Sequence, residues 1–356
     1  MNYKELDAEA AFDLTRAARV SGRRVTAIGG GTGLSTLLLG LKEYTDNITA
    51  IVTVTDDGGG SGVLRREFGM LPPGDIRNCI LSLANTSTTM NQLLNYRFTD
   101  GTLKGQSFGN LFLLALCGVC GSFEAAVERM GQFLAVTGRV LPVTGSDVIL
   151  EALFEDGSTV RGETSITAAK KESGLRIDQI SLRPQSPRAL DSVIQAIEQA
   201  ELIVLGPGSL YTSLIPNLLV DGVSEAIERS SALKIYVLNI MTQEGETEGY
   251  TAAQHVQALN RHARRRIVDV CLYNTQAVHP RIVEKYRSER CAQLFPNPYV
   301  FQKMGVELFG GQILALGSEY ARHDPLRLAY TIMQAAHQFA PRPGVLGGYD
   351  AFLLKE

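Results

Sequence analysis

The chain has 356 residues, of which 45% are hydrophobic and 20% are charged, so it is long enough to form a large α/β domain with a sizeable buried core. Its net charge of −3 excludes the strongly basic class of protein whose default partner is a nucleic acid. The polar N-terminus shows no signal peptide, and apolar runs such as Leu111–Leu116 are far too short to span a membrane, so we expect a cytoplasmic protein without a membrane span.

An N-terminal extension over residues 1–22 is predicted to precede a single domain over residues 23–356. That domain opens with an apolar, β-branched run, Val25–Ile28, which has the composition of a buried strand. The run stops at three consecutive glycines, Gly29–Gly31. Because glycine has no Cβ, these residues let the backbone turn sharply and leave room for a ligand. We therefore expect the first strand to lead into a glycine-rich turn.

An apolar helix is predicted to follow from Leu34, with Thr32 or Ser35 as its cap. The free N–H groups and the dipole at the start of such a helix favour an anion, so the motif predicts a site for the phosphates of a nucleotide or a sugar phosphate. A dinucleotide fingerprint would need glycine at position 34 and a Walker motif would need a lysine after the glycines, and the chain has neither. Backbone amides alone are expected to hold the phosphate, and a tight turn without a ligand is the alternative.

A second buried strand is predicted over Ile48–Val54, and two adjacent carboxylates, Asp56 and Asp57, follow it. They lie near the position at which dinucleotide folds place an acid that binds ribose. A carboxylate 4 Å from a phosphate charge costs about 1 kcal/mol in water and about 4 kcal/mol at an effective dielectric of 20. We therefore expect the pair either to accept hydrogen bonds from sugar hydroxyls or to hold Mg²⁺, which would bridge it to the phosphate. A solvated turn is the alternative.

Later elements continue the alternation of strands and helices. Helices are predicted over Ile76–Ala84 with Asp75 as cap, Leu111–Leu116, Phe123–Val136, Pro187–Gln199, Thr251–Asn260 and Asp324–Phe339, and strands over Leu202–Leu205, Lys234–Ile240 and Val268–Tyr273. Short alternating strands around the hairpin signal Asp156-Gly157 predict a β-rich insertion over about residues 139–183. The pattern as a whole predicts an α/β, Rossmann-like, doubly wound and mostly parallel sheet, with ligands at the carboxyl ends of its strands.

The candidate ligand-binding residues lie at the predicted strand ends and helix starts, where glycines, hydroxyls and amides cluster. They are Gly29, Gly30, Gly31, Thr32, Gly33, Leu34, Asp56, Asp57, Ser61, Gly62, Asp75, Arg77, Asn78, Ser107, Gly109, Asn110, Gly206, Gly208, Ser209, Thr212, Ser213 and Thr242. No G-x-S-x-G elbow and no histidine accompanies these loops, so no nucleophile–base pair is assigned. Asp56, Asp57 and Asp75 are the candidate catalytic groups, Asp56 and Asp57 the candidate metal ligands. Such carboxylates suit phosphoryl transfer better than acyl or hydride transfer.

Six of these motifs, in this order, resemble those of the gluconeogenesis factor family, a branch of the 2-phospho-L-lactate transferase (CofD) superfamily. The motifs are Gly29–Ser35, Thr55–Gly62, Leu71–Asn78, Ser107–Leu111, Ala200–Val220 and Asn239–Tyr250. The resemblance covers about residues 23–340. It implies a Rossmann-like fold and a cytoplasmic bacterial protein that binds a UDP-type nucleotide sugar, with a role in carbon-source-dependent growth and in cell-wall or cell-shape control. In the transferase branch, the acid that matches Asp56 or Asp57 helps to hold a divalent metal and a guanosine diphosphate donor.

The glycine-rich Asp56–Gly62 and Gly206–Ser213 loops match the gluconeogenesis branch rather than the transferase branch, and Gln106 stands where many members carry a histidine. The resemblance therefore implies a regulatory protein that binds a ligand of the UDP-N-acetylglucosamine or UDP-glucose type. A Mg²⁺-dependent phosphotransferase with a nucleoside diphosphate donor is one alternative, and a protein that binds an NAD-like dinucleotide is another. The assembly is left open, with a homodimer among the options.

Overall fold

Seven parallel strands form the central sheet of the computed structural model, which describes Arg19 and residues 22–341. The predicted N-terminal extension lies almost wholly outside the described residues. The strands are β1 Val25–Gly29, β2 Ile48–Val52, β3 Arg139–Pro142, β7 Leu202–Leu205, β8 Leu233–Val237, β9 Val270–Asn274 and β10 Glu307–Gly311. Their order is β10-β9-β8-β7-β1-β2-β3, and all neighbours pair in parallel. The predicted doubly wound sheet is confirmed.

Helices cover both faces of this sheet. They are α1 Gly31–Leu41, α2 Gly59–Phe68, α3 Gly74–Leu83, α4 Thr88–Asn95, α5 Phe108–Cys120, α6 Phe123–Phe133, α7 Glu163–Ser173, α8 Asp191–Glu198, α9 Ile215–Leu218, α10 Val223–Arg229, α11 Ala252–Ala263, α12 Pro280–Ser288, α13 Pro298–Met304 and α14 Pro325–Phe339, with a π-helical turn over Leu210–Leu214. Within the described residues, no single helix has the length and composition to cross a membrane; α5 and α6 reach them only as a pair that is bent by 117°.

Successive residues of the central strands belong to two separate hydrophobic cores. On β1, Ile28 packs into one core together with Leu205 of β7, whereas Ala27 packs into the other together with Val204. This alternation follows from the pleat, because neighbouring side chains on a strand point to opposite faces. Both faces are dry, so the strands are almost continuous apolar runs, as expected for parallel sheets. The alternating pattern of a half-exposed strand is therefore absent from β1, β2 and β7.

The strand order reverses between β1 and β7. From β1 the chain proceeds through β2 to β3 in one direction, and from β7 it proceeds through β8 and β9 to β10 in the other. At such a switch point the loops after the two adjacent strands diverge to opposite sides and leave a crevice at the carboxyl edge. Here those loops are the glycine turn after β1 and the segment Gly206–Ser209 after β7. The fold thus places the two most glycine-rich predicted loops on either side of one opening.

The insertion is a separate three-stranded antiparallel sheet, formed by β4 Ile149–Phe154, β5 Thr159–Arg161 and β6 Ile177–Arg183 in the order β5-β4-β6. Of the predicted range of about 139–183, the first residues form β3, which pairs with β2 and extends the central sheet. The range also contains a helix, α7, that was not predicted. That helix buries only Ile166 and Lys170. With so few apolar positions on its buried side, the sequence lacks the periodicity that predicts an amphipathic helix.

Helix starts near the glycine loops differ from the prediction. The first helix begins at Gly31, not at Leu34, and its cap is Gly30 without a side-chain hydrogen bond. Asp75 lies inside the first turn of α3 and is not the cap, which is Pro73. Glycine is a poor helix former, so a propensity argument places such residues in a loop. Tertiary contacts of the backbone, such as the hydrogen bond from the N–H of Gly31 to Asp75, nevertheless place these glycines at the start of the helix.

Candidate functional site

A crevice of about 450 Å³ opens at the carboxyl edge of the sheet, at the switch point between β1 and β7. It is the site that the strand-end rule for α/β sheets predicts. Its lining residues are Gly30, Gly31, Thr32, Gly33, Thr36, Pro207, Gly208, Ser209, Ser213, Asn239, Ile240, Met241, Thr242, Gln243, Glu244, Tyr286, Glu289, Tyr320, Ala321, Arg322 and His323. Hydroxyl, amide and backbone groups therefore dominate one wall, and aromatic and ionisable side chains the other.

The start of α1 forms the floor of the crevice. In the first turn of a helix the N–H groups have no intrahelical acceptor, so the amides of Thr32 and Gly33 are available to an anion. Gly31 has φ +64°, a left-handed conformation that favours glycine. A Cβ on Gly33 would lie 2.4 Å from the carbonyl oxygen of Pro207. The glycines are therefore needed both for the turn and for the close approach of the two loops.

The loop after β7 is fixed by side chains from the loop after β8. Asn239 accepts a hydrogen bond from the backbone N–H of Gly208 at 3.3 Å and donates one to its carbonyl at 2.9 Å. The hydroxyl of Ser209 donates to Gln243 at 2.9 Å. Two neighbouring strand-end loops are thus locked to each other. This pre-forms the wall opposite α1, which reduces the entropy that ligand binding would otherwise cost.

The far wall contains residues that the sequence analysis missed: Tyr286, Tyr320, Arg322 and His323. Arg322 is the one lysine or arginine among the residues that line the crevice. Arg322 lies beside Tyr320. The ammonium nitrogen of Lys285 lies over the face of the same ring, 3.4 Å from its centroid. The segment follows β10, which was not predicted because its sequence Glu-Leu-Phe-Gly-Gly ends in glycines. Had that strand been found, the strand-end rule would have pointed to this loop.

A second group of residues lies on the other side of the glycine turn. We call it the acidic cluster: the predicted Asp56, Asp57 and Asp75, together with Glu163, which was not predicted. The three aspartates accept hydrogen bonds at helix starts. Asp75 accepts a hydrogen bond from the N–H of Gly31 at 2.6 Å, and Asp56 accepts one from the N–H of Gly58, the cap of α2, at 2.9 Å. The protein's own carboxylates thus occupy positions in which an anion would be expected at a helix N-terminus.

Asp57 reaches across to the insertion. Its Oδ1 accepts hydrogen bonds from the backbone N–H of Thr164 at 3.0 Å and from its hydroxyl at 2.7 Å. Thr164 lies in the first turn of α7, whose own cap residue, Gly162, has no side chain to fill that role. Asp57 therefore caps a helix more than 100 residues away in the chain, which ties the insertion to the edge of the central sheet.

Burial and mutual repulsion shift the titration of the cluster. Burial raises the pKa of Asp75 to about 6, and the nearby charge of Asp56 adds to the rise, while the hydrogen bond from Gly31 opposes it. Burial likewise raises the pKa of Glu163 to about 9, with contributions from Asp56 and Asp75. Glu163 is therefore protonated at neutral pH, and Asp75 titrates just below it. When carboxyl groups lie close together, the repulsion between their charges raises the pKa of at least one of them.

Polar groups with unused hydrogen-bonding atoms border the cluster. Arg77 donates to the hydroxyl of Ser107, which also caps α5 by accepting from the N–H of Asn110. Three buried atoms in this group have no hydrogen-bond partner within the described part of the chain: Arg77 Nε, Gln106 Oε1 and Asn110 Oδ1. Buried polar atoms are rarely left unpaired. Such a concentration is consistent with a ligand or ordered water beside the start of α5.

The predicted metal site has limited support from this geometry. Within residues 22–341, no group of three His, Cys, Asp or Glu side chains is arranged to hold a metal ion. Asp57 is committed to Thr164, and Asp56 uses one oxygen on Gly58. Mg²⁺ often binds through one or two carboxylates and the phosphates of its substrate, so Asp56 would need a bound diphosphate to complete the site. Metal binding stays a prediction.

The predicted residues therefore separate into three groups. Gly30, Gly31, Thr32, Gly33, Gly208, Ser209, Ser213 and Thr242 line the crevice. Asp56, Asp57, Ser61, Gly62, Asp75, Arg77, Asn78, Ser107, Gly109 and Asn110 lie in and around the acidic cluster and outside the crevice lining. Gly29, Leu34, Gly206 and Thr212 are buried behind the loops, and Thr212 donates its hydroxyl to buried Glu246 at 2.7 Å. For the last group, the positions support the turns and the core.

Comparison with known proteins gives a consistent result. The model of the family described as 2-phospho-L-lactate transferase CofD matches residues 25–314. A putative gluconeogenesis factor from Thermoanaerobacterium thermosulfurigenes is 51% identical over 316 residues, which are 89% of this chain and 98% of that protein. The gluconeogenesis factor of Bacillus subtilis is 43% identical over 307 residues, 86% of this chain and 96% of that protein.

A solved structure has the same fold. The X-ray crystal structure of protein BH3568 from Bacillus halodurans superposes with a TM-score of 0.84 at 39% sequence identity, and the match covers 88% of this chain and 99% of that one. The relatives are thus similar along nearly their whole length and not in one motif alone.

Proposed function

We propose, from the premise that the chain belongs to the 2-phospho-L-lactate transferase CofD family, that it is a cytoplasmic regulatory protein that binds a nucleotide sugar in the crevice. The ligand is of the UDP-N-acetylglucosamine or UDP-glucose type. The relatives named gluconeogenesis factor support a role in growth on gluconeogenic carbon sources. Control of cell shape and of the cell wall is proposed in addition, from the resemblance of the six motifs to the gluconeogenesis factor family.

The crevice carries this proposal, because its two walls suit the two halves of such a ligand. The free amides of Thr32 and Gly33 offer hydrogen bonds and a helix dipole to a diphosphate, and Arg322 provides the one cationic side chain in the lining. Tyr286 and Tyr320 offer aromatic surface to a base. Hydroxyls and amides of the loops after β7 and β8, such as Ser209 and Asn239, suit ribose or sugar hydroxyls.

The side chains that line the crevice favour binding of the ligand without a reaction. No pair of side chains in the crevice lining forms a nucleophile with an adjacent general base, since its only histidine, His323, has a pKa lowered to about 4 by burial. Glu244 and Glu289 are the only carboxylates in that lining. A sensor needs affinity, and the pre-formed loops favour it because they lower the entropy that binding would cost.

A Mg²⁺-dependent phosphotransferase is the second candidate. The observation that favours it is the contact between Asp75 and Gly31, which brings the acidic cluster against the floor of the crevice. Asp56 and Asp57 would hold the ion against the phosphates, and Mg²⁺ would neutralise charge there. The carboxyl groups of Asp75 and Glu163, which differ in protonation at neutral pH, would hold or accept a proton next to the reacting group.

One experiment distinguishes these candidates. UDP-N-acetylglucosamine, UDP-glucose, GDP and NAD are titrated calorimetrically into the full chain with Mg²⁺ and with EDTA, and the mixtures are then examined by mass spectrometry for product. Metal-independent binding of the UDP-sugars without turnover supports the sensor. Strict dependence on Mg²⁺, lost in Asp56→Ala, or the appearance of product supports the transferase. Selective binding of NAD would contradict both.

A further inference from the structure

Helix α7 of the insertion packs against the loop after β8, which contributes Glu244 to the lining of the crevice. The ammonium nitrogen of Lys171 on α7 lies 2.6 Å from a carboxylate oxygen of Glu244. The next residue of the loop, Gly245, has φ +80°, and a Cβ there would lie 2.7 Å from the Cγ2 of Thr167 on α7. The insertion thus holds the segment that contains Glu244 in place at the crevice.

Carboxylates outnumber ammonium groups in this region. Lys170 is paired with Glu248 at 2.9 Å, and both side chains are largely buried. The hydrogen bond with Glu244 is the main reason that the pKa of Lys171 is raised. The charges of Glu289 and Glu248 add to that rise, because they lie near the same ammonium group. Three carboxylates thus share two lysines here, and one of the three, Glu289, also lines the crevice.

The lining of the crevice carries its charges of opposite sign on different segments of the chain. Arg322, the one cationic side chain in the lining, lies on the far wall beside Tyr320. Glu244 follows Gln243, which accepts a hydrogen bond from Ser209, so it belongs to the wall whose hydroxyls and amides suit a sugar. An ionised carboxylate only accepts hydrogen bonds. Glu244 therefore requires donors, such as hydroxyl groups, from a ligand that binds beside it.

We propose that Glu244, held by Lys171, makes the crevice selective for a nucleotide sugar whose sugar is uncharged, and that it rejects a sugar that carries a carboxylate. The inference rests on the proposed function, because it concerns the sugar of the same ligand. Glucose and glucuronic acid differ only at C6, which is a hydroxymethyl group in one and a carboxylate in the other. Hydroxyls of the neutral sugar donate to Glu244, whereas the second carboxylate cannot donate and adds a like charge.

An acidic sugar bound by Lys171 is the less suitable alternative. Lys171 is not among the residues that line the crevice, and its ammonium group already donates to Glu244. An incoming carboxylate would have to displace Glu244 from this contact. That would leave the carboxylate of Glu244 without its cation in a region that also contains Glu289.

The test compares UDP-glucose with UDP-glucuronate, which share the nucleotide and the diphosphate. Both are titrated calorimetrically into the full chain at neutral pH and low salt. We expect the wild type to bind UDP-glucose about 10- to 100-fold more tightly, which lies between the effects of a like charge at 4 Å in water and at an effective dielectric of 20. Because salt screens the repulsion, this preference should decrease as the salt concentration is raised.

Two substitutions should change the preference in opposite directions. Glu244→Gln keeps an acceptor and removes the charge, so it should raise the affinity for UDP-glucuronate and nearly abolish the preference. Lys171→Gln, at a side chain that is 45% exposed, removes the cation beside Glu244 and should lower the affinity for UDP-glucuronate further. A purely structural defect would instead weaken both ligands alike. Glu228→Gln is the matched control, since Glu228 is a half-exposed carboxylate that pairs with Arg265 outside the crevice lining.

Equal affinity of the wild type for the two ligands would overturn the selectivity and leave the nucleotide-sugar proposal standing. Tighter binding of UDP-glucuronate that Lys171→Gln abolishes would assign the acidic sugar to Lys171 instead. A preference that Glu244→Gln does not reduce, or that Glu228→Gln reduces equally, would show that Glu244 is not its cause. If neither ligand binds, the proposed function itself is refuted, and this inference with it.

Discussion

The two sides of the glycine turn after β1 are built from the same kind of element and have opposite chemistry. On the crevice side, the start of α1 leaves the amides of Thr32 and Gly33 open toward a space whose lining includes Arg322. On the other side, the N–H of Gly31 already donates to Asp75, and burial, with a smaller contribution from the charge of Asp56, raises the pKa of that carboxyl group. One helix N-terminus thus leaves amides open to the crevice on one side and binds an internal carboxylate on the other.

The comparison shows that a helix N-terminus by itself does not identify a ligand site. Its N–H groups are satisfied wherever a suitable acceptor lies, and an Asp from a neighbouring helix start is as good an acceptor as a phosphate. What separates the two sides is open volume and the presence of a cationic side chain. The crevice has both space and Arg322 in its lining, whereas the acidic cluster is partly buried and consists of carboxylates alone. We therefore expect phosphate binding on the crevice side.

The largest effect should come from blocking the floor of the crevice. Gly31→Val forces a β-branched residue to φ +64° and directs its side chain toward Ser213, so we expect affinity for UDP-N-acetylglucosamine to fall more than about 100-fold, from strain of about 1–3 kcal/mol together with the filled volume. Isothermal calorimetry measures it. Gly69→Val is the control, since Gly69 has the same φ of +64° and open space around its Cβ. Equal losses of affinity in both variants would refute a local role.

Removing the cation of the far wall should have the next largest effect. Arg322→Ala is expected to weaken UDP-sugar binding about 10- to 100-fold, since a hydrogen bond to a charged group contributes about 1.5–3 kcal/mol. The remaining affinity should depend less on salt. Arg188→Ala, at a side chain that is 88% exposed and outside the crevice, is the control. Unchanged affinity and salt dependence in Arg322→Ala would place the phosphates elsewhere.

Substitutions in the acidic cluster should change the free energy of unfolding of the protein rather than its affinity for the ligand. A pKa of about 6 for Asp75 lies above the unfolded value, so the folded state binds this proton more tightly and loses stability as the pH rises from about 4 to 6. Asp75→Asn keeps an acceptor for Gly31 without the charge. We expect it to raise the unfolding free energy by about 1–2 kcal/mol at pH 7.5, a part of the roughly 3 kcal/mol in the shift, and to change it little at pH 4. Urea unfolding at both pH values measures this.

A stability gain that is equal at both pH values would mean that the charge of Asp75 is not what costs stability. A loss of stability at pH 7.5 would mean that the ionised carboxylate on Gly31 is a net stabilising contact. Either result would remove the contrast between the two sides of the turn.

The smallest effect should come from the cap that Asp57 provides. Asp57→Ala is expected to destabilise the protein by about 1 kcal/mol, as the loss of a helix cap does, and to increase amide hydrogen exchange at the start of α7. Asp57→Asn, which retains an acceptor, should be milder. If Asp57 instead served mainly as a metal ligand, both variants would lower Mg²⁺ affinity and leave hydrogen exchange in α7 unchanged.

Several features of the site were predictable from local pattern. The apolar, β-branched runs Val25–Ile28 and Leu202–Leu205 predict buried strands. The glycines and hydroxyl side chains that follow them indicate the two loops at the switch point. Their place at the carboxyl edge follows from the strand-end rule. The far wall was not predictable in this way. Glycine is unfavourable in strands, so β10, which ends in two glycines, was not predicted. Without that strand, the strand-end rule could not be applied to the loop that contains Arg322.

The acidic side was predicted in composition but not in arrangement. Asp56 and Asp57 were expected to act as a pair, yet one contacts the cap of α2 and the other the start of α7, in opposite directions. Asp75 was expected to cap its own helix and instead contacts α1. In each case the choice of partner depends on which helix starts converge in space, and their separation along the chain exceeds any local pattern.

Sequence alone determined the parallel α/β sheet, its first glycine turn and the absence of a lysine directly after those glycines, because these depend on residue type and on periods of a few residues. Tertiary structure decided which amides stay open, which carboxylates fill the others and which distant loop supplies the arginine. The physical reason is that hydrogen bonds and charges are satisfied by whatever group the fold brings within about 3 Å, irrespective of its distance along the chain.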